Sequence, residues 1–325
     1  MARPGPAAIP PDGDSGGDFP PSAPPLTAPA GDAILKIILM KASKSWALVL
    51  MGGGARGLAH VGVIRFLEKR GLVPDVIAGT SMGALVGGLF AAGLSGARLT
   101  EMLDGLGLDE AADKARRRGL LKRPRNLFEY LLLTDSKNRF ISKIGVDKGD
   151  AIEAYIRRFV GDVLIEELPV KFLCNAVDLV TGREVLFRRG PLCRALRATI
   201  SLPLVFAPVD MEDMLLLDGG VLNSAPVEAA REAGAEVAVL VDVHRPLRDV
   251  AKERLKSTLQ IVQRTVEVAS AASFEERARH ADLVLRVPVD RGVLSFSGPR
   301  RIALIGERVA ASAYDSLKEA IGARP

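Results

Sequence analysis

Two cysteines in 325 residues, Cys174 and Cys193, are too few and too far apart to frame a disulfide scaffold or a metal site. Both are expected as free thiols, as suits a reducing compartment, and no metal is expected. Aromatic residues make up only 5% of the chain, which leaves little to stack on bases. Nucleic acid is therefore not expected as a partner, although a net charge of +5 would suit an anionic surface. No apolar run approaches the ~20 residues that span a bilayer, and the first residues lack the apolar core of a secretory signal. The expected location is the cytoplasm.

What is abundant is apolar content, 48% of residues, enough to bury a large core in one α/β domain. Residues 1–31 are crowded with proline (Pro4, Pro6, Pro10, Pro11, Pro20, Pro21, Pro24, Pro25, Pro29) and carry few large apolar side chains. Such a segment cannot repay the entropy of ordering and is expected to be a disordered tail. Residues 32–44 differ, because Ile34, Leu35, Ile37, Ile38, Leu39 and Met40 are punctuated by Lys36, Lys41 and Lys44. They read as a leader that is either an interfacial helix or an extra packing element. The main domain is expected over 45–290, with a C-terminal helical segment, 291–325, packed on it.

Residues 46–51 form an apolar run of strand length that ends in Gly52-Gly53-Gly54-Ala55-Arg56-Gly57. A helical pattern follows, with Leu58, Val61, Ile64 and Leu67 on one face. A glycine loop at a helix N-terminus leaves backbone N–H groups free to hold an anion. That anion could be a dinucleotide pyrophosphate or the oxyanion of a serine esterase. The spacing Gly52-x-Gly54-x-x-Gly57 fits the dinucleotide fingerprint, yet that fingerprint wants an acid at the end of the next strand. Asp75 instead begins the next strand, and no Walker lysine–hydroxyl pair is present. From Asp75 the chain runs through Val76-Ile77-Ala78 into Gly79-Thr80-Ser81-Met82-Gly83 and then a helix of small residues. Such a turn exposes a serine under strain at a helix N-terminus, the geometry of a nucleophile.

Residues 114–125 hold Lys114, Arg116, Arg117, Arg118, Lys122, Arg123 and Arg125 without an acid. They read as a solvated helix face, or as a lid or membrane-contacting surface in which each base near an anionic leaflet is worth roughly 1 kcal/mol. Asp150 and Glu153 suggest a capping box opening a helix over 151–160. Strands are expected at 170–178 and 183–188, joined by a turn at Thr181-Gly182, and a helix at 192–200. A short strand at 214–217 ends in Asp218-Gly219-Gly220, an acid where α/β proteins place catalytic groups. A strand at 236–243 carries Asp242 and leads to His244. A long helix is expected over 249–281, with Leu255, Leu259, Val262, Val266 and Ala269 on its inward stripe. A strand at 283–287 and a helix at 302–317 complete a doubly wound, mostly parallel sheet.

Taken in order, Gly52-Gly53-Gly54-Ala55-Arg56-Gly57, Gly79-Thr80-Ser81-Met82-Gly83 and Asp218-Gly219-Gly220 resemble the patatin-like phospholipase family, its bacterial members above all. So do residues 194–203 with Phe206 and Pro208, and Asn223-Ser224-Ala225-Pro226. The resemblance implies a three-layer α/β/α sandwich around a mostly parallel central sheet that hydrolyses acyl esters of phospholipids or related lipids. It assigns Ser81 as nucleophile and Asp218 as its base, and places the oxyanion hole in the loop from Gly52 to Gly57. Gly79, Gly83, Gly219 and Gly220 support those motifs. Arg56 would orient the loop or steady an anionic headgroup. No organic cofactor is implied, and any peripheral contact with the inner face of the membrane falls to residues 114–125.

Two alternatives remain at this level. The order Ser81, Asp218, His244 is that of a hydrolase triad. A non-hydrolytic protein could instead use the Gly52–Gly57 loop for a nucleotide. His60 reads as a packing or capping residue of the site, and His280 as surface.

Overall fold

A computed structural model of the chain describes residues 42–105, 150–203, 206–256, 258–293, 296 and 298–323. The proline-rich tail, nearly all of the 32–44 leader and the basic stretch from Lys114 to Arg125 lie outside them. The first strand, β1 (Trp46–Leu50), is buried along its whole length. It pairs in parallel with β2 (Val76–Gly79) on one side and β7 (Val237–Asp242) on the other. Strands covered on both faces should read as unbroken apolar runs, and Trp46-Ala47-Leu48-Val49-Leu50 does. Outward from β2 comes β3 (Lys171–Asp178), and outward from β7 comes β8 (Leu283–Arg286), both parallel to their neighbours.

The remaining strands break the parallel pattern. The hairpin partner of β3 is β4 (Arg183–Phe187), antiparallel. Asp178 closes its turn by accepting from Thr181 Oγ1 (2.7 Å) and Thr181 N (3.2 Å), while Gly182 takes the left-handed φ of +68° that lets the chain reverse. A short strand not foreseen in the sequence, β5 (Val209–Met211), forms a second hairpin with β6 (Met214–Asp218). The strand path is β5-β6-β3-β2-β1-β7-β8, with β4 on β3 off that path, so the central sheet is mostly parallel and carries an antiparallel margin. Helices α1 (Ala59–Lys69), α2 (Met82–Ala91), α3 (Gly96–Gly105), α4 (Asp150–Val160), α5 (Leu192–Thr199) and α6 (Val227–Glu232) flank it.

Three helical expectations need correction. Residues 249–256 are not part of the long helix, which is α7 (Thr258–Ala278), preceded by a 3-10 turn at Lys252–Arg254. The Gln260 side chain takes the Lys256 N–H (3.1 Å) in place of a helical carbonyl. The inward stripe of α7 is Arg264, Glu267, Ala271, Phe274 and Ala278, whereas Ala269 faces solvent and Leu255 precedes the helix; the side chains of Leu259, Val262 and Val266 lie outside the described residues. The last helix is two, α8 (Pro299–Ser312) and α9 (Tyr314–Ile321), broken at Ala313, and Tyr314 at the start of α9 lies edge-on to Phe66, with ring centroids 5.6 Å apart. The helix expected over 151–160 starts one residue earlier, as α4 (Asp150–Val160), and Glu153 pairs with Arg157 (3.0 Å) and Arg194 (3.4 Å), while the capping-box side chain of Asp150 lies outside the described residues.

Helix α1, which hangs from the glycine loop, is held by α8. The two backbones approach so closely that a Cβ on Gly62 would strike the Ala303 carbonyl and one on Gly306 the Ala59 carbonyl. Glu307 adds an ion pair to Lys69 at 2.7 Å. Overpacking such a contact typically costs 1–3 kcal/mol. Urea unfolding of Gly306→Val should therefore show a loss of about 1–3 kcal/mol, while Leu304→Ala on the exposed side of α8 should fall within ~0.5 kcal/mol of wild type.

Candidate active site

The C-terminal ends of β1 and β2 deliver the two sequence-predicted loops side by side. Gly79, the last residue of β2, is packed so tightly against the backbone of Ala84 that it has no room for a side chain. Gly83 meets the Leu50 and Met51 carbonyls in the same way. Between them Ser81 is held at φ 54° and ψ −126°, a region that L-residues avoid at a cost of order 1–3 kcal/mol. Its N–H donates to Thr199 Oγ1 at 2.9 Å, and α2 starts at the next residue. The turn therefore lifts the Ser81 hydroxyl out of the sheet at a helix N-terminus.

Ser81 Oγ donates to Asp218 Oδ2 at 2.6 Å. Asp218 is the last residue of β6 and only 2% exposed, and its other oxygen accepts from Gly220 N at 2.8 Å. Burial pushes its carboxyl up to about 6, against the opposing pull of the Ser81 hydroxyl and the Gly220 N–H. A carboxylate so poised is a far better base than one in water. Gly219 packs against Asn175 and Gly220 against the Asp218 carboxylate.

The glycine loop lies against this pair: a Cβ on Gly52 would sit 3.4 Å from Ser81 Cβ. The loop's donors are unequally committed. Gly52 N–H goes to Ser224 O (2.8 Å), Ala55 N–H to Val293 O (2.7 Å) and Arg56 N–H to Gly53 O (3.2 Å). Among the hydrogen bonds of the described residues none uses the Gly53 or Gly54 N–H. Gly54 has a φ of +55°, and a side chain there would run into the Val293 carbonyl. Gly57 packs on Met82, the residue after the serine. Arg56 is partly buried, which lowers its pKa, and its Nε donates to Gly53 O at 3.3 Å, so it braces the loop.

The histidines fall apart from the serine–aspartate contact. His60 is fully buried under the loop with Nε2 2.9 Å from Met51 O, and burial lowers its pKa to about 4, so it is neutral. His244 follows β7; its ring sits edge-on to Phe274, with centroids 4.7 Å apart, and its N–H donates to Asp242 Oδ1. His280 is half exposed beside Glu228. Asp75 takes the Trp46 N–H at 2.8 Å and so ties β1 to the start of β2. Both cysteines are buried free thiols. Among the described residues no group of three His, Cys, Asp or Glu could hold a metal, and no helix is long and apolar enough to cross a membrane.

Residue-type reasoning passed over several contributors. Thr199 fixes the Ser81 amide, and the carbonyl of Ser201, two residues on, takes the Asp218 N–H at 3.1 Å. Buried Arg197 locks that turn through Ser201 Oγ (2.6 Å) and Ala207 O (3.0 Å). Their only sequence signal was membership of the 194–203 stretch. Val293 carried no signal, because it acts through its carbonyl.

Residues 48–231 match the patatin-like phospholipase family. An uncharacterised NTE family protein of Mycobacterium tuberculosis is 37% identical over 239 residues, 71% of this chain and 60% of that protein. Lysophospholipase NTE1 of Candida albicans is 30% identical over 213 residues, 65% of this chain and 14% of that protein. The chain thus spans less than two thirds of the length of these relatives. Among solved structures, VipD from Legionella pneumophila aligns at a TM-score of 0.45 and 13% identity over 85% of this chain and 67% of that one. Human GIVD cytosolic phospholipase A2 aligns at 0.40 and 9% identity over 90% and 62%. The matched stretch covers more than half of the chain and carries the glycine loop, Ser81 and Asp218, and by it this chain belongs to the patatin-like phospholipase family.

Proposed function

We propose that the protein is a serine acyl hydrolase acting on phospholipids or related lipid esters through a Ser81/Asp218 dyad. The observation that carries this is the direct 2.6 Å hydrogen bond from Ser81 Oγ to a buried carboxylate, with no imidazole between them. Asp218 Oδ2 takes the hydroxyl proton as Oγ attacks the ester carbonyl. The negative charge that develops on the carbonyl oxygen is met by the Gly53 and Gly54 N–H groups, with the N-terminus of α2 adding its dipole. Collapse of the tetrahedral intermediate breaks the ester C–O bond; the proton on Asp218 passes to the departing alkoxide, and the acyl group stays on Ser81. Water then attacks the acyl-enzyme, Asp218 takes its proton, and the acid leaves as Ser81 recovers that proton.

Arg56 serves as a brace of the glycine loop, since its Nε is committed to Gly53 O. Membership of the patatin-like phospholipase family, and lysophospholipase NTE1 among the relatives, support a lipid as substrate. A location peripheral to the inner membrane face through residues 114–125 belongs to the same reading.

Three outcomes test it. With p-nitrophenyl esters of rising chain length and with phospholipid vesicles, Ser81→Ala and Asp218→Asn should each lower kcat by about 10⁴-fold or more. His244→Ala should keep most of the activity; a loss as large as that of Asp218→Asn would instead make the histidine the base. Because Asp218 must be ionised to act, kcat/KM should fall on the acid side with an apparent pKa of about 6.

The same carboxylate sets a stability trend. Its folded pKa is raised above the usual 3.8, so the folded state binds the proton more tightly, and stability drops as pH rises from about 4 through about 6. Asp218→Asn should therefore be more stable than wild type above pH ~6, by up to about 3 kcal/mol, and the difference should vanish below pH ~4. Urea titrations at both pH values check this.

A further inference from the structure

The dyad depends on how two strands meet on β3. Cys174 pairs with Gly79 of β2 on one edge and Phe187 of β4 on the other, while Ala176 pairs with Asp218 of β6 and Val185 of β4. Since β4 occupies one edge at both positions, β2 and β6 share the other. They run in opposite directions, so their C-terminal ends face each other. Gly79 lies opposite residue 174 and Asp218 opposite residue 176. The residue in the gap is Asn175.

Asn175 is fully buried, and every polar atom of its side chain is used. Oδ1 accepts from Thr80 Oγ1 at 2.8 Å, next to the nucleophile. Nδ2 donates to the Asn223 carbonyl at 2.8 Å, in the loop that leaves Asp218. Gly219 packs so closely on Oδ1 that a Cβ would not fit. The second Nδ2 proton goes to Glu184 Oε1 at 2.7 Å, and the same oxygen accepts from Asn223 Nδ2 at 2.9 Å. Glu184 stands on β4 two residues before Leu186, the partner of Asn175, and so on the same face of the sheet. An amide can face either way, and a carboxylate oxygen, which only accepts, forces both NH₂ groups towards itself. That leaves Asn175 Oδ1 for Thr80 and Asn223 Oδ1 for the Ala225 N–H at 3.1 Å.

We propose that Asn175 and Glu184 are positioning residues that set the Ser81 to Asp218 contact, Asn175 by tying the two facing strand ends together and Glu184 by fixing the orientation of the Asn175 and Asn223 amides. The inference rests on the dyad reading, and neither residue touches substrate. Misplacing reacting groups by 1 Å costs about 100-fold in rate, so loss of the tie acts on kcat.

The test compares Glu184→Ala with Glu184→Gln, and Thr80→Val with Thr80→Ser, by ester kinetics, pH profile and thermal melting. The Gln and Ser variants keep the acceptor and the hydroxyl. Expected for Glu184→Ala and Thr80→Val is a drop of about 10- to 100-fold in kcat with KM little changed. The acid limb of kcat/KM should also move to higher pH, because the hydroxyl that holds the Asp218 carboxyl down is drawn away. Glu184→Gln and Thr80→Ser should stay close to wild type. Folded Glu184→Ala and Thr80→Val proteins with unchanged kcat and an unmoved acid limb would overturn the proposal. So would a Glu184→Gln variant as impaired as Glu184→Ala. If Glu184→Ala does not fold, the Thr80 pair decides alone. Failure of the dyad reading is distinguishable, because it would appear as activity surviving in Ser81→Ala.

Discussion

A serine and an aspartate can work without a histidine only if the two side chains touch, and contact is what the sheet has to deliver. Asp218 is one of the few acids buried in the described core, and leaving a carboxylate there without partners would cost several kcal/mol. Its two oxygens are instead satisfied by the Ser81 hydroxyl and the Gly220 N–H. The penalty of burial that remains is what raises the pKa. Desolvation thus destabilises the fold when the carboxylate is charged, and on the dyad reading proposed above it is also what brings a weak base close to neutral pH.

Everything around this contact restrains it. The strained Ser81 backbone persists because Gly79 and Gly83 admit the backbone of α2 and of β1, and because Thr199 holds the amide. Asp218 is fixed by its register on Ala176 and by the Ser201 carbonyl. On the far side of the loop, Val293 occupies the Ala55 N–H while α8 grips α1, so residues beyond the family match help to shape the glycine loop. Preorganisation of this kind keeps the reorganisation cost out of the catalytic step.

Much of this was legible in the sequence where chemistry or covalent geometry demands particular residue types. The glycines of the first loop, Gly79-Thr80-Ser81-Met82-Gly83 and Asp218-Gly219-Gly220 are such places, and the apolar runs of β1 and β7 gave away a buried parallel sheet. Less legible was anything that depends on which strand lies beside which. The antiparallel entry of β6 onto the edge vacated by β2 cannot be read from periodicity, and it is what puts Asn175 between the two strand ends. Helix limits failed where side chains compete with the backbone, as Gln260 does before α7, and Ala269, expected on the inward stripe, faces solvent. A backbone acceptor such as Val293 O leaves no trace in residue type at all.

On the proposed mechanism the acyl group passes through Ser81 with Asp218 alone as proton carrier. This is tested most directly by rapid acid quench of the enzyme during turnover of a p-nitrophenyl ester, followed by peptide mass mapping. The expected result is an acyl mass increase on the peptide that holds Ser81, formed at near wild-type rate in His244→Ala and slowed about 10⁴-fold in Asp218→Asn. An adduct on any other residue, or one whose formation collapses in His244→Ala while surviving in Asp218→Asn, would contradict it.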